Sequence, residues 1–504
     1  MRSCYGQGRP LRAAIQTCCL AAFLFFGYDQ GNFGGILQNP EWLKTFDYPD
    51  ETTTGIIMSS YCIGALISCA VNFYIGDLFG RRRMMWLAMA FIVCGATLQT
   101  SAYTISHLIV GRIICGIGTG IDSSTVPMYQ SELCEKEKRG RLVSWEVLFI
   151  GVGVVVAYWI DFGFSYLSGS VSWRTPIALQ LVFAIVVVVL VWGLPESPRW
   201  LANRGREQEA VEVLCAVFDR TPNDPFIMEQ VLEIREAISV ERHAGAQKIS
   251  GLFKNDRVKT RRRVILAWFM LFMNQLSGIN IIIAYIPTVL VKSVGIDPKI
   301  ATVMAGCVVV LFCIGALVPS LRLDHMGRRP AMMWGSAGLG ICMMMVSILL
   351  SFHKRSTSIG AAAFFFLFMF VFGVSINAVP WVYGPEILPL VARTRGTAIS
   401  VSSHWLWNFF ILMITPTLLA RLDWKTYLIF MATNFSFVPI VYFFYPETSN
   451  ISLEQIDKLF IDAETDDGSM EAGEAGIGQS GKGGTDTKIE ERQISSSRGK
   501  AQAS

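Results

Sequence analysis

Apolar residues in this chain fall into about twelve runs, each long enough to cross the ~30 Å of hydrocarbon in a bilayer as a helix. They predict spans at 12–37, 55–75, 84–101, 106–129, 142–163, 175–194, 263–291, 299–321, 330–351, 359–384, 396–420 and 424–445. Six lie on each side of a polar segment, 195–262, in which GREQEAVEVLCAVFDR has amphipathic helical spacing and reads as short surface helices. The expected division is an N-terminal six-helix bundle over 1–194, a helical linker over 195–262, a C-terminal six-helix bundle over 263–445 and a tail over 446–504. After about residue 462 the tail is rich in Gly, Ser and acids and too poor in apolar residues to pack; it is expected to be disordered. The opening MRSCYGQGRPLR leads straight into a full-length span, so the first helix is expected to be retained rather than cleaved.

Composition agrees with an all-α integral membrane protein. Hydrophobic residues make up 52% of the 504 and charged residues 16%, against a usual ~25% charged. The net charge of +4 is small and no basic tract is interleaved with aromatics, which argues against a nucleic-acid partner. Most of the twelve cysteines, such as Cys62, Cys69, Cys94, Cys307 and Cys313, lie inside apolar runs, where thiols behave as small hydrophobes. No CxxC pair has zinc spacing, so disulfides, metal and cofactor are all unexpected. No nucleophile–base set or Walker motif is evident, which argues against an enzyme and against an ATP-driven pump.

Basic residues set the orientation. Arg81–Arg83, Lys136, Lys138, Arg139, Arg141, Arg261–Arg263, Arg328, Arg329, Arg393 and Arg395 fall on one side, with HKR at 353–355 the main exception. The positive-inside bias then puts both termini and the linker in the cytoplasm of a multi-pass plasma-membrane protein. Of two glycosylation sequons, Asn434 is buried by this topology and Asn450 is cytoplasmic; neither is expected to carry a glycan.

The two halves repeat a charged pattern. GDLFGRRR (76–83) follows span two and LDHMGRRP (323–330) follows span eight; SELCEKEKRG (131–140) follows span four and PEILPLVARTRG (385–396) follows span ten. The acids Asp77, Glu132, Asp324 and Glu386, with Arg81, Arg82, Arg139, Arg328, Arg329 and Arg393, suit salt bridges between the halves that open and close. Ordinary positive-inside anchoring explains any one of these arginines, but not the same set at matching places twice.

Asp29, in FFGYDQGNFGG, is a carboxylate deep in an apolar helix, where charge costs ~2.5–3.5 kcal/mol on insertion scales. It lies ~13 Å from the outer end of span one, and Arg112 lies ~9 Å inside the outer end of span four. Gly27, Gly31 and Gly35, like Gly116 and Gly120, allow close helix approach, so the acid can reach the arginine. On residues alone, a permanent ion pair and a proton-exchanging pair explain this equally well. Asp122 and Glu146, toward the cytoplasmic ends of spans four and five, can join a proton route, but an interfacial place or a link to the Arg cluster explains them more simply.

The stretches FFGYDQG, DLFGRRR, GRIICGIGTG, PESPRWL (195–201), NQLSGIN (274–280), VPWVYGPEI and YPETS (445–449) resemble the sugar porter branch of the major facilitator superfamily along about residues 15–460. YWIDFGFS and SVSWRTPIALQLVFA look closest to its fungal glycerol/proton symporter subgroup. The resemblance implies the major facilitator fold, two bundles around one midplane site, alternating access, and Asp29 with Arg112 as the proton-coupling pair. It also implies ligand contacts from Gln275, Asn280, Trp381 and Asn408, with Trp405 close by and Tyr285 as an outer gate. Pro380 and Pro416 are candidate bending points.

Departures narrow the ligand. Asn274, Ala284 and Val147 stand where the family usually places Gln, Tyr and Gln, and Phe312 where several hexose carriers place Asn. Fewer amides satisfy fewer hydroxyls, so the expected partners are a proton and a small neutral polyol or monosaccharide, carried by a monomer. A facilitator or exporter with the same fold is the alternative. A nontransporting nutrient sensor fits less well, because such members tend to have much longer tails.

Overall fold

A computed structural model describes residues 4–135, 139–243, 256, 258–389, 392–449, 451, 456 and 459–460; the side chains of 73–77, 139, 237, 240–243, 324 and 394 lie outside that description. The side chains of Asp77, Arg139 and Asp324, the whole of Lys136, Lys138 and Asn450, and the tail beyond residue 460 are therefore outside it. The helices belong to one compact unit, Met1–Leu459.

Twelve membrane-length helical spans are present among the described residues, with no strand. The first five are α1 (Arg9–Ile36), α3 (Glu51–Phe79), α4 (Arg81–Thr100), α5 (Ile105–Glu132) and α6 (Arg139–Phe164); α2 (Pro40–Thr45) is a short surface helix after α1. The sixth joins α7 (Val171–Ala178) to α8 (Gln180–Trp192). Next come α9 (Pro198–Asn203), α10 (Glu207–Phe218) and α11 (Pro225–His243), as the amphipathic spacing predicts. The second set comprises α12 (Thr260–Leu276) with α13 (Ile279–Val289) and a π-helical turn (Leu290–Val294), then α14 (Pro298–Met326) and α15 (Arg328–Ser351). It ends with α16 (Arg355–Val374) and α17 (Val379–Ile387), α18 (Arg393–Leu422) and α19 (Lys425–Phe444).

Several helices overrun their apolar runs because polar caps start them early. Asp50 accepts from the Thr53 amide at 3.1 Å, and Thr104 from the His107 amide at 3.3 Å. Each cap satisfies an amide that would otherwise lack a partner. The amide of Gly8 donates to the Ala216 carbonyl at 2.7 Å, so the start of α1 rests on α10; this side is the linker face.

Two six-helix bundles meet where α3 packs on α18, α6 on α14 and α1 on α13. The glycines of α1 turn toward α6, not toward the helix that carries Arg112. A β-carbon at Gly27 would run into the Ile150 carbonyl, whereas Gly116 and Gly120 on α5 face α3. The glycine spacing therefore buries one helix seam rather than bringing Asp29 to Arg112. Gly27→Ala is expected to lower the yield of monodisperse protein severalfold in fluorescence-detected size exclusion, since overpacking costs about 1–3 kcal/mol or more. Gly163→Ala, at a position with nothing within 4 Å, is expected to leave the profile unchanged.

Two spans expected to be continuous are broken. Span seven leaves the helix at Ser277–Gly278, and span ten between Val374 and Val379. Gly278 has a φ of +96°, which an L side chain adopts only with strain. Pro380 sits in the first turn after the second break, but Pro416 lies within the single uninterrupted helix α18.

Candidate functional site

A broken helix inside a membrane frees carbonyls that protein donors must satisfy. Here α19 and α12 supply them. Thr433 Oγ1 donates to the Leu276 carbonyl at 3.0 Å and Asn434 Nδ2 to the Ser277 carbonyl at 2.9 Å. Asn274 Nδ2 donates to the Ile376 carbonyl at 3.2 Å, tying the two breaks together. Asn434, fully buried in that role, offers no free amide for a glycan.

The polar side chains expected at the pathway gather at this point. Gln275 Nε2 donates to Asn274 Oδ1 at 2.7 Å and meets His404 Nδ1 at 2.8 Å; Asn280 Nδ2 donates to Gln275 Oε1 at 2.6 Å. The His404 ring lies 5.1 Å from that of Trp381, which is half-buried, and 5.0 Å from that of Trp405. His404 Nε2 and Asn408 Oδ1 are buried with no hydrogen-bond partner. His404 was not foreseen, although it stands in HWLWNF beside two residues that were. Trp405 is fully buried against Phe26 and Tyr61, centroids 5.6 and 5.9 Å away, and forms the wall between bundles.

Gln30, Tyr61, Arg112, Asn280 and Asn408 line a central cavity of about 20 Å³, with Ala284 and Leu412 closing it. That is room for about one water, so even a small polyol requires the walls to part. The closure lies on the side away from the linker. Tyr285, the expected gate, donates from its hydroxyl to the Leu412 carbonyl at 3.0 Å. Tyr158 donates to the Ile283 carbonyl at 2.6 Å and Gln38 Nε2 to Thr288 Oγ1 at 2.7 Å, joining the two bundles.

Asp29 is buried, as expected of an acid in a bundle interior, but in this conformation it is not ion-paired with Arg112. Its Oδ1 accepts from Gln180 Nε2 on α8 at 3.0 Å, and its Oδ2 lies 3.8 Å from Cys115 Sγ. Arg112 donates from Nε to the Ile57 carbonyl and from Nη2 to the Met58 carbonyl, both at 3.2 Å. Its guanidinium stacks over the rings of Phe33 and Tyr61, 4.1 and 5.1 Å from their centroids. Nη1 is buried with no hydrogen-bond partner, and Asp29 remains within Coulombic reach. Gln180 was not foreseen; a lone amide near the start of a valine-rich run was its one signal.

At the linker face, two ion pairs form among the predicted residues, one within each bundle and not between them. Arg81 Nη2 pairs with Glu132 at 3.0 Å, and Arg328 Nη2 with Glu386 at 2.9 Å. The residues that complete them come from PESPRWL and YPETS. Glu196 accepts from the Arg81 amide at 2.9 Å, and Glu447 from the Arg328 amide at 2.8 Å, so the two carboxylates cap the starts of α4 and α15. Tyr129 donates to the Pro195 carbonyl and Tyr383 to the Pro446 carbonyl, at 2.8 and 3.0 Å. Arg82 and Arg329 reach the carbonyls of Trp192 and Tyr442, the ends of spans six and twelve. The repeat thus fastens the third span of each bundle to its sixth. Arg393 donates to the nearby Leu388 carbonyl at 3.4 Å. Glu132→Ala is expected to destabilise by about 3 kcal/mol, because it strips a buried guanidinium of its partner. Glu386→Ala should cost less, since Glu386 is 23% exposed against 7% for Glu132. Denaturation midpoints of the detergent-solubilised protein check the order.

Asp122 and Glu146 are not bonded to the described part of the Arg cluster; both are fully buried where α1, α5 and α6 pack together.

A family profile described as "Sugar (and other) transporter" matches residues 14–460. The chain is 35% identical over 460 residues to the MFS-type transporter oryC of Aspergillus oryzae, covering 88% of this chain and 85% of that one. It is 31% identical over 472 residues to the Sugar transporter STL1 of Saccharomyces cerevisiae, covering 91% and 83%. Among solved structures, the proton:xylose symporter XylE bound to 6-bromo-6-deoxy-D-glucose superposes with a TM-score of 0.77 at 24% identity, covering 89% of this chain and 99% of that one.

Proposed function

Since this chain belongs to the sugar (and other) transporter family, a multi-pass membrane transporter of the major facilitator fold and not an enzyme, we propose that it carries a small polyol or monosaccharide into the cell together with a proton. Within the family we place it beside the glycerol/proton symporters, in the plasma membrane, with its linker face and both termini in the cytoplasm. The Lys/Arg bias of that face supports the orientation.

One observation carries the reading. Arg112 lines the central cavity with Asn280 and Asn408, and it also acts electrostatically on Asp29. The guanidinium's Nη1 is buried with no hydrogen-bond partner, so it has a donor to offer a ligand hydroxyl in the cavity. Drawing Arg112 off the Ile57 and Met58 carbonyls frees it to exchange with Gln180 as the partner of Asp29. Alternation between a cationic and a neutral partner alternates proton release and uptake. The amides of Gln275 and Asn280 hold hydroxyls, and the Trp381 face takes the C–H surface.

The Gln180 hydrogen bond favours a second reading, in which Asp29 is statically satisfied and the protein is a facilitator. Uptake of labelled glycerol, sugar alcohols, hexoses and disaccharides in carrier-deficient cells separates them. Symport predicts concentrative uptake of the smaller polyols, with alkalinisation of the medium when substrate is added. Uptake without alkalinisation leaves the facilitator.

A further inference from the structure

Below Asp29, toward the linker face, α1, α5 and α6 enclose two more carboxylates. Asp122 lies on α5 about two turns beyond Cys115, and Glu146 lies on α6. Glu146 is 0% and Asp122 1% exposed. Both carboxyl oxygens of Glu146, and Oδ1 of Asp122, have no hydrogen-bond partner.

Their surroundings contain no compensating charge among the described residues. The ionisable groups that act on this site are Asp122, Glu146 and two thiols of α1: Cys19 interacts with both acids and Cys18 with Asp122. Neighbouring elements keep their charges elsewhere. Arg81 of α4 is held by Glu132, Arg174 of α7 by the carbonyls of Thr100 and Ala102, and Glu386 of α17 by Arg328. On α14, Arg322 and His325 are exposed, Phe312 and the Cys313 thiol face Gly151 of α6, and Ser320 Oγ donates to the Ser144 carbonyl at 3.1 Å.

We propose that Asp122 and Glu146 form a second proton-holding site, which keeps its proton while the bundle is closed and gives it up on the linker side. An ionised carboxylate buried without a cation or donor is strongly disfavoured, so the closed bundle holds Glu146 as the acid. When α5 and α6 admit water, the O–H bond of that carboxyl breaks, its electron pair stays on the carboxylate, and the proton passes to water. Asp122 and Glu146 lie at similar depth, each about two turns to the linker side of Asp29, so a proton leaving Asp29 toward that face has acceptors along its way. The direction of travel rests on the symport reading above; the occupancy of the site does not.

Infrared difference spectra of the full-length protein in liposomes test the occupancy. Glu146→Gln is expected to remove part of the protonated-carboxyl C=O band seen at neutral pH, and Asp122→Asn to shift what remains. A band unchanged in Glu146→Gln overturns the proposal. Transport gives the second readout. Proton-driven net uptake is expected to fall about tenfold in Glu146→Gln, while counterflow exchange at equal pH stays within about twofold. Unchanged net uptake, or equal loss of both activities in a protein that elutes as a monodisperse peak, overturns it. If the wild type shows no substrate-linked proton movement, the symport reading fails, and the infrared band still decides whether Glu146 carries a proton.

Discussion

Asp29→Asn is expected to abolish accumulation of substrate against its gradient while leaving exchange of labelled for unlabelled substrate near the wild-type rate. One proton crossing 100 mV supplies ~2.3 kcal/mol, a ceiling of roughly fifty-fold accumulation. Without a proton to exchange, the internal concentration should level off at the external one. The variant is nearly isosteric, and Gln180 still has an oxygen to which it can donate. A structural role for Asp29 alone predicts the opposite: accumulation intact, with any defect shared equally by exchange. Time courses of labelled uptake with and without a protonophore distinguish the two. Accumulation that survives the substitution removes Asp29 from the coupling scheme, even if transport itself stands.

Gln275→Leu should have the next largest effect, a fall of about a hundredfold in uptake at low substrate concentration. Gln275 is bonded at once to Asn274, Asn280 and His404. On the proposed reading its loss removes a ligand contact, and it leaves buried polar neighbours short of partners, at about 1–3 kcal/mol for each unsatisfied group. A loss near 2.7 kcal/mol corresponds to about two decades in affinity. Gln275→Asn, which keeps an amide one methylene shorter, should recover part of the activity only if the amide touches substrate. Initial rates over a substrate series supply the measurement, and a Leu variant within about twofold of wild type would move the ligand site elsewhere.

Span number and the gross arrangement of the chain were legible because bilayer thickness imposes a length on apolar runs, whatever the tertiary detail. Burial was legible too: ionisable groups inside apolar helices are expected to face the bundle interior, and Asp29 and Arg112 are both buried. Azimuth was not. Equal depth says nothing about which face of α5 meets α1, and the glycines of α1 proved to serve α6. The helix breaks were hidden too, since Ser277–Gly278 was quoted within NQLSGIN without a backbone role and its release depends on donors about 157 residues away in α19. Glu196 and Glu447 were quoted within motifs without a role, because each caps a helix more than a hundred residues earlier in the chain. His404 and Gln180 were single polar residues in apolar company, a signal that only packing converts into a function.

The side-chain bonds at the break in span seven set what can move. α12 is moored at its end, through Thr433 and Asn434 to α19 and through Asn274 to the second break. The outer arm, α13, hangs from Gly278 and is held at its far side by Tyr285, Tyr158 and Gln38. Swinging that arm outward about the glycine pivot carries Asn280 away from Gln275, which stays with His404. On the proposed reading, unlatching the face away from the linker and loosening the Gln275–Asn280 clasp are thus a single stroke of one lever.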